Sequence, residues 1–278
     1  MRIDPFLTER LVKSLLWCLT GLTLFYDIFI IAFISVKGLP QVSFNFLFHD
    51  IEDMGRAGGI FPTIVSTAYL TLIALLVASP LGVGTAIYLT EYTRESWITR
   101  LIRFGAECLA GVPSIILGLF GFVLFVIKLN FGWSMLSGGL SLAIMILPTI
   151  IRTSEEALKT VPQEYQDVCF SLGISKWQTI TRVVLPSALP GIMTGIVLSI
   201  GRSIGETAVV LFTAGASLRT PTSLFDSGRS MAVHFYILAR EGLSMPNAYG
   251  TAAILIISIL LINITAYTLM QRFLEKYS

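Results

Sequence analysis

Arg202 and Glu206 stand four residues apart in the stretch GRSIGETA, inside a run otherwise apolar enough to cross a membrane. An arginine presents a planar fork of donors that fits phosphate-like oxygens, and a carboxylate can take the proton of a protonated oxyanion. Either charge placed in hydrocarbon costs about 2.5–3.5 kcal/mol, so each needs a partner, a water-filled cavity or a ligand. Two readings are open at this point. On a continuous helix the spacing puts both side chains on one face, where an i,i+4 ion pair would neutralise itself. The alternative is a pathway that an anion crosses. Asp27 carries the same penalty in another apolar run, and its surroundings suggest a hydrogen bond between helices rather than transport.

Other chemistry is scarce. No Gly-x-x-x-x-Gly-Lys-Ser/Thr loop occurs, so the chain lacks the usual cradle for ATP phosphates. Gly82-Val-Gly84 lacks the rest of a dinucleotide fingerprint and lies within an apolar run. No Ser/His/Asp or Cys/His arrangement points to a nucleophile. Cys18, Cys108 and Cys169 fall in separate elements without metal-ligand spacing, and His49 and His234 are far apart in sequence. The expectation is a chain with no catalytic residue, cofactor or metal site, and therefore not an enzyme by itself.

The elements that must position Arg202 and Glu206 are membrane helices. Of 278 residues, 54% are hydrophobic and only 13% charged, with mean hydropathy +0.79. Soluble domains carry about 25% charged residues, so this is an integral membrane protein. Apolar runs near 14–36, 62–89, 104–127, 133–151, 188–212 and 249–270 predict an all-α bundle of six spans in one domain, residues 1–278. The runs are continuous rather than alternating, which excludes a β-barrel. The first run follows Arg10 and Lys13 but lacks a clear small-residue cleavage site, and reads as a retained anchor. Twelve Lys and Arg residues, from Arg2 to Lys276 and including Arg94, fall on the side of both termini, against six opposite; the termini are expected in the cytoplasm.

Glycines and prolines interrupt the spans: Pro80, Gly82 and Gly84 in the second, Gly111, Pro113, Gly118 and Gly121 in the third. Gly191–Gly195 and Gly201–Gly205 are small-xxx-small pairs that allow close helix contact, whether for tight packing or for a moving core. No internal repeat is evident. Outside, the loop at 213–248 contains a stretch, Ser230–Leu238, expected as a short helix at the outer face.

The cytoplasmic loop at 153–187 is polar and carries helix signals. Thr153 with Glu156 fits a capping box, and Pro162 suits the first turn of a second helix. Tyr165, Val168, Cys169 and Leu172 recur at i, i+3, i+4, i+7 as one apolar stripe. Gly173 occupies a place that wants a left-handed residue, and Ser175 with Gln178 starts another capped helix. Trp177, Ile180 and Val184 extend the apolar face as far as Pro186. A helical hairpin with an apolar ridge for a partner is expected.

That hairpin resembles the coupling motif of ABC importer permeases: Glu-Ala-Ala, three residues, Gly, nine residues, Ile-x-Leu-Pro. Asp167-Val168-Cys169 takes the Glu-Ala-Ala place, Gly173 the glycine, and Val183-Val184-Leu185-Pro186 the close. Asp for Glu and Val-Cys for Ala-Ala depart from the pattern. GGIFPTIVST at 58–67, GVPSIILGLF at 111–120, LPTIIRTSEEALKTVP at 147–162 and GRSIGETAVVLFTAG at 201–215 add to it. Over about residues 55–270 the chain looks like the phosphate-specific ABC permeases of the Pst system, most like the A-type subunit. The resemblance implies a type I importer permease fold in the inner membrane, paired with a second homologous permease, two cytoplasmic ATPase subunits and an extracytoplasmic phosphate-binding protein. It implies that Asp167, Gly173, Leu185 and Pro186 couple to the ATPase, and that Arg202 and Glu206 handle phosphate. A permease for another oxyanion (sulfate, molybdate or tungstate) or a passive six-helix channel are the alternatives.

Overall fold

The computed structural model describes residues 5–93 and 95–277. Arg2 and Arg94, both counted in the charge asymmetry, lie outside the described residues. The chain is a helical bundle. After α1 (Pro5–Gly38) come a short α2 (Phe44–Phe48) and a two-residue antiparallel ladder pairing β1 (Ile51–Glu52) with β2 (Ala57–Gly58). Helix α3 (Phe61–Ile87) continues through a π-helical turn at Tyr88–Tyr92. The segments α4 (Trp97–Gly111) and α5 (Ser114–Gly121, extended by a π-helical turn to Lys128) follow. Next are α6 (Met135–Lys159), α7 (Gln163–Ser171) and α8 (Lys176–Thr179). Helix α8 runs through a π-helical turn at Ile180–Val184 into α9 (Leu185–Ile204). Three helices complete the chain: α10 (Ala208–Thr213), α11 (Met231–Arg240) and α12 (Met245–Tyr277).

Among the described residues, five helices are long and apolar enough to cross a membrane, and the expected third span differs from them. It is not one helix over 104–127: α4 and the arm formed by α5 meet at a bend of 104°. Pro113 removes an amide donor, and Val112 before it is extended (ψ 130°), so the helical ladder stops. Since α5 rises through the bundle, α4 lies nearly across it at the inner end.

The core is built on α3, α6 and α9, and α6 is its most enclosed member. Leu70, Ala74 and Ala78 of α3 meet Leu142, Ile146 and Ile150 of α6 in one buried cluster, joined by Val209 and Val210 of α10. Small residues set the approach. Gly138 faces Leu70, Gly139 faces Ile73, and Gly82 faces Ile150, so α3 and α6 run in parallel. Gly191 and Gly195 of α9 lie against Ala157 and Thr153 of α6, which makes α9 antiparallel to both.

Helix α1 stands apart. No residue of its most apolar window is buried, and its outer end alone is anchored, where Gly38 meets the Tyr249 backbone and Phe33 meets the Tyr249 ring edge-on at 6.0 Å. Asp27 is exposed on this helix, and the helix-to-helix hydrogen bond expected for it is not made among the described residues.

Candidate functional site

Span five is broken at the residues of interest. Helix α9 ends at Ile204, where the Gly205 amide donates to Gly201 O at 3.2 Å and the Glu206 amide to Ser203 O at 3.3 Å. Glu206 lies in the break. Its Oε1 accepts from the amides of Ala208 (3.0 Å) and Val209 (3.3 Å), so it serves the orphan donors that open α10. The expected single helix over 188–212 is therefore two helices, and of the two open readings the i,i+4 ion pair between Arg202 and Glu206 is not formed among the described residues. Once the helix stops, the four-residue spacing no longer stacks the side chains on one face.

Arg202 is exposed and takes no carboxylate or carbonyl partner among the described residues, while the neighbouring Ser203 hydroxyl is buried without one. Depth matters here. Thr153, which faces Gly195, is about 27 Å along α6 from its outer start at Met135. Arg202 is about 10 Å further outward along α9, near the middle of a hydrocarbon layer of about 30 Å. The break is held from behind by close packing: α10 lies over Gly118 of α5, which faces the backbone of Val209 and Ala208.

At the inner end the hairpin is present with several changes. Thr153 is inside α6, not at a helix start, and its hydroxyl donates to Thr149 O at 2.8 Å; the expected Thr153–Glu156 box does not form, because α6 continues unbroken to Lys159. Pro162 precedes α7 as its cap rather than lying in its first turn. Gly173 has φ +74°, the left-handed conformation its position demands. The Ser175–Gln178 capping box forms in both directions. The helix does not stop at Pro186: it continues from Lys176 through the π-helical turn at Ile180–Val184 into α9, and Pro186, which has no amide to donate, directly follows that wider turn. Leu185 is half-buried against the cluster of Ala157 and Val184, while Pro186 and Asp167 of α7 are exposed.

The apolar stripe of α7 splits by direction. Cys169 is buried, whereas Tyr165, Val168 and Leu172 are exposed, Leu172 by 74%. On the second limb Ile180 and Val184 are buried and Trp177 is exposed. Two contacts hold the hairpin to the end of α3: Gln166 Nε2 donates to Glu91 Oε1 at 3.3 Å, and Lys176 Nζ lies over the Tyr92 ring at 5.2 Å.

Two charged clusters escaped the sequence reading. Arg103 of α4 reaches Glu95 and Glu155 at 2.9 Å each, and Lys159 reaches Glu155 at 2.7 Å. Outside, Arg229 is buried, its Nε donating to Ala216 O at 3.2 Å and its Nη1 contacting His234 Nδ1 at 3.3 Å. Burial first, and the Arg229 charge second, push the His234 imidazole down to about 4. Neutral, its Nδ1 accepts from the guanidinium. His234 belongs to α11, which is tucked inward rather than resting on the outer face, with Met231, Val233 and Leu238 buried. Only the penalty of a buried charge could have drawn attention to Arg229 in sequence, and no spacing linked Arg103 to Glu155.

Residues 78–277 match the family described as binding-protein-dependent transport system inner membrane component. A probable ABC transporter permease protein, YqgI of Bacillus subtilis strain 168, is 31% identical over 94% of each chain. The phosphate transport system permease protein PstA of Pasteurella multocida is 32% identical over 94% of this chain and 95% of its own. PstA 1 of Mycobacterium tuberculosis strain H37Rv is 37% identical over 76% and 69%. Among solved structures, a chain of a bacterial alginate ABC transporter, in complex with a pentasaccharide-bound periplasmic protein, superposes with a TM-score of 0.66. It is 17% identical, over 96% of this chain and 94% of that one. The MetNI methionine ABC transporter gives a TM-score of 0.60 at 18% identity, over 77% and 94%. The fold is that of type I ABC importer permeases.

Proposed function

Since the chain belongs to the family of binding-protein-dependent transport system inner membrane components, we propose that it is the A-type permease of an ATP-driven phosphate importer. The relatives named PstA support the substrate. The observation that carries the reading is Arg202, exposed without a counter-ion near mid-membrane depth and beside a break in its helix. A free guanidinium in hydrocarbon is unfavourable, so that face borders a water-filled path in the assembled importer.

Phosphate near neutral pH is a mixture of mono- and dianion and brings both charge and a donatable proton. Arg202 pairs with the charge. Glu206 keeps one oxygen on the α10 amides and offers the other to the phosphate proton. Sulfate has no such proton and would face a second anion, which disfavours it. A second permease closes the path, and a phosphate-binding protein delivers to its outer mouth. Two cytoplasmic ATPase subunits supply the energy, so the chain itself is not an enzyme. The hairpin, with Asp167, Gly173, Leu185 and Pro186, lays its exposed Tyr165, Val168 and Leu172 into a groove on the ATPase. Both termini then lie in the cytoplasm.

The test is uptake by the complete complex in lipid vesicles. Phosphate must accumulate only with ATP, and excess sulfate must not compete. Equilibration of phosphate across the vesicle membrane without ATP would make the assembly a passive channel, and competition by sulfate, molybdate or tungstate would make it a general oxyanion permease.

A further inference from the structure

The inner end of the bundle holds a clasp that the transport reading does not use. Helix α4 crosses α6 there, and the guanidinium of Arg103 divides its two nitrogens between carboxylates on either side. Nη1 is 2.9 Å from Glu95, just before α4, and Nη2 is 2.9 Å from Glu155 of α6. Glu155 is only 8% exposed and also holds Lys159 at 2.7 Å. A planar fork can span two acceptors in this way; an ammonium cannot hold both in the same geometry. Beside the clasp is a cleft of about 240 Å³, between α4 and α6, lined by Ala106, Ala110, Pro148 and Ile151 among others.

The placement of this clasp connects two otherwise separate parts. On one side, α6 runs unbroken from the core to Lys159, and only Thr160–Pro162 separates it from α7 of the hairpin. On the other, α4 turns by 104° at Val112–Pro113 into α5, and α5 supports α10 through Gly118, behind Glu206. Among the described residues, the ion pairs and hydrogen bonds from α4 to α6 come from Arg103; Ala106 and Ala110 face Pro148 and Ile151 across the cleft, and Glu107, Arg152 and Glu156 line it without bonding from one helix to the other.

We propose that Arg103 is a positioning residue of transport. It makes the inner end of α6 carry α4, and through the bend carry α5 and the Glu206 break. Coupling of this kind travels through contiguous rigid elements joined by specific contacts. The inference rests on the importer reading of the chain but not on its substrate.

The experiment uses the complete complex in vesicles, with Cys18, Cys108 and Cys169 replaced by Ser and a single thiol introduced by Ser114→Cys at the start of α5. Two quantities are read: ATP turnover, and the change in thiol labelling rate on adding ATP. The parent is expected to show a change in labelling. Arg103→Gln should keep turnover within about twofold and lose at least about four-fifths of that change. Arg103→Lys, which keeps one carboxylate at a time, should give an intermediate change at full assembly. The proposal is overturned by a parent that shows no change, or by Arg103→Gln retaining the full change. If Arg103→Gln does not assemble, an unaltered change in Arg103→Lys overturns it equally. Phosphate is absent throughout, so failure to take up phosphate speaks against the substrate alone.

Discussion

At the residue scale, the separation of Arg202 from Glu206 changes what their substitutions should do. A self-neutralising pair would lose stability when either partner is removed and recover when both are. Here Arg202 has no partner among the described residues and Glu206 bonds to backbone amides. Arg202→Gln should therefore abolish uptake while the complex still assembles, and Arg202→Lys should rescue it poorly for want of the planar fork. Glu206→Gln keeps an acceptor for Ala208 and Val209, so its loss should fall on uptake. Glu206→Ala should in addition cost about 0.5–2 kcal/mol, the usual range for a missing helix cap. Uptake assays beside thermal unfolding of the purified complex separate the two effects. Full uptake by the Arg202→Gln, Glu206→Gln double variant would remove both residues from the pathway.

At the scale of elements, the hairpin and the outer loop each depend on one residue. Gly173 turns the chain between α7 and α8 at φ +74°, with open space around it, so a substitution meets backbone strain rather than a clash. Gly173→Leu should cost about 1–2 kcal/mol locally and misalign the two limbs, whereas Gly173→Asn, which tolerates this conformation, should cost less. Co-purification of the ATPase is the readout, with loss expected for leucine and retention for asparagine.

In the outer loop, His234 titrates at about 4 when folded, against an ordinary 6.5. Between those values the unfolded imidazole binds a proton that the folded one refuses. Stability is thus fully present above about 6.5 and declines as pH falls toward about 4. Thermal unfolding in detergent should show that decline. His234→Gln, which still offers an acceptor to Arg229, should flatten it; equal slopes in both proteins would assign the pH dependence elsewhere.

At the scale of the whole molecule, the parallel contact of α3 with α6 is the feature on which the rest is hung. Gly139 meets Ile73 and Gly82 meets Ile150 so closely that any Cβ would force the helices apart. Gly139→Leu should destabilise the complex by about 1–3 kcal/mol, the range for overpacked cores, and lower its melting temperature. Substitution at Gly84, which has no neighbour within 4 Å, is the matched control and should leave the melting temperature unchanged.

Much of this was legible in the chain itself. Long apolar runs can be satisfied in a bilayer only as helices, because each backbone group must bond within its own segment. The left-handed turn at Gly173 and the Ser175–Gln178 box were legible for the same reason: both are local, set by residues within a few positions of each other. What failed, at Thr153, in GRSIGETA and in the third span, was the assumption that a helix would continue or stop by local signal alone. Thr153 could have begun a helix, but packing of Gly195 against it keeps α6 unbroken through that point. GRSIGETA could have been one continuous turn, but Glu206 bonds the first amides of α10 and splits the span. The third span bends because Pro113 stops the ladder, and Arg103 of α4 finds Glu155 on α6. Sequence determined the membrane, the helices and the local caps, since those are governed by solvent and by neighbours along the chain. Tertiary structure alone decided which charges meet, since Arg103 and Glu155, or Arg229 and His234, come together only after helices have packed.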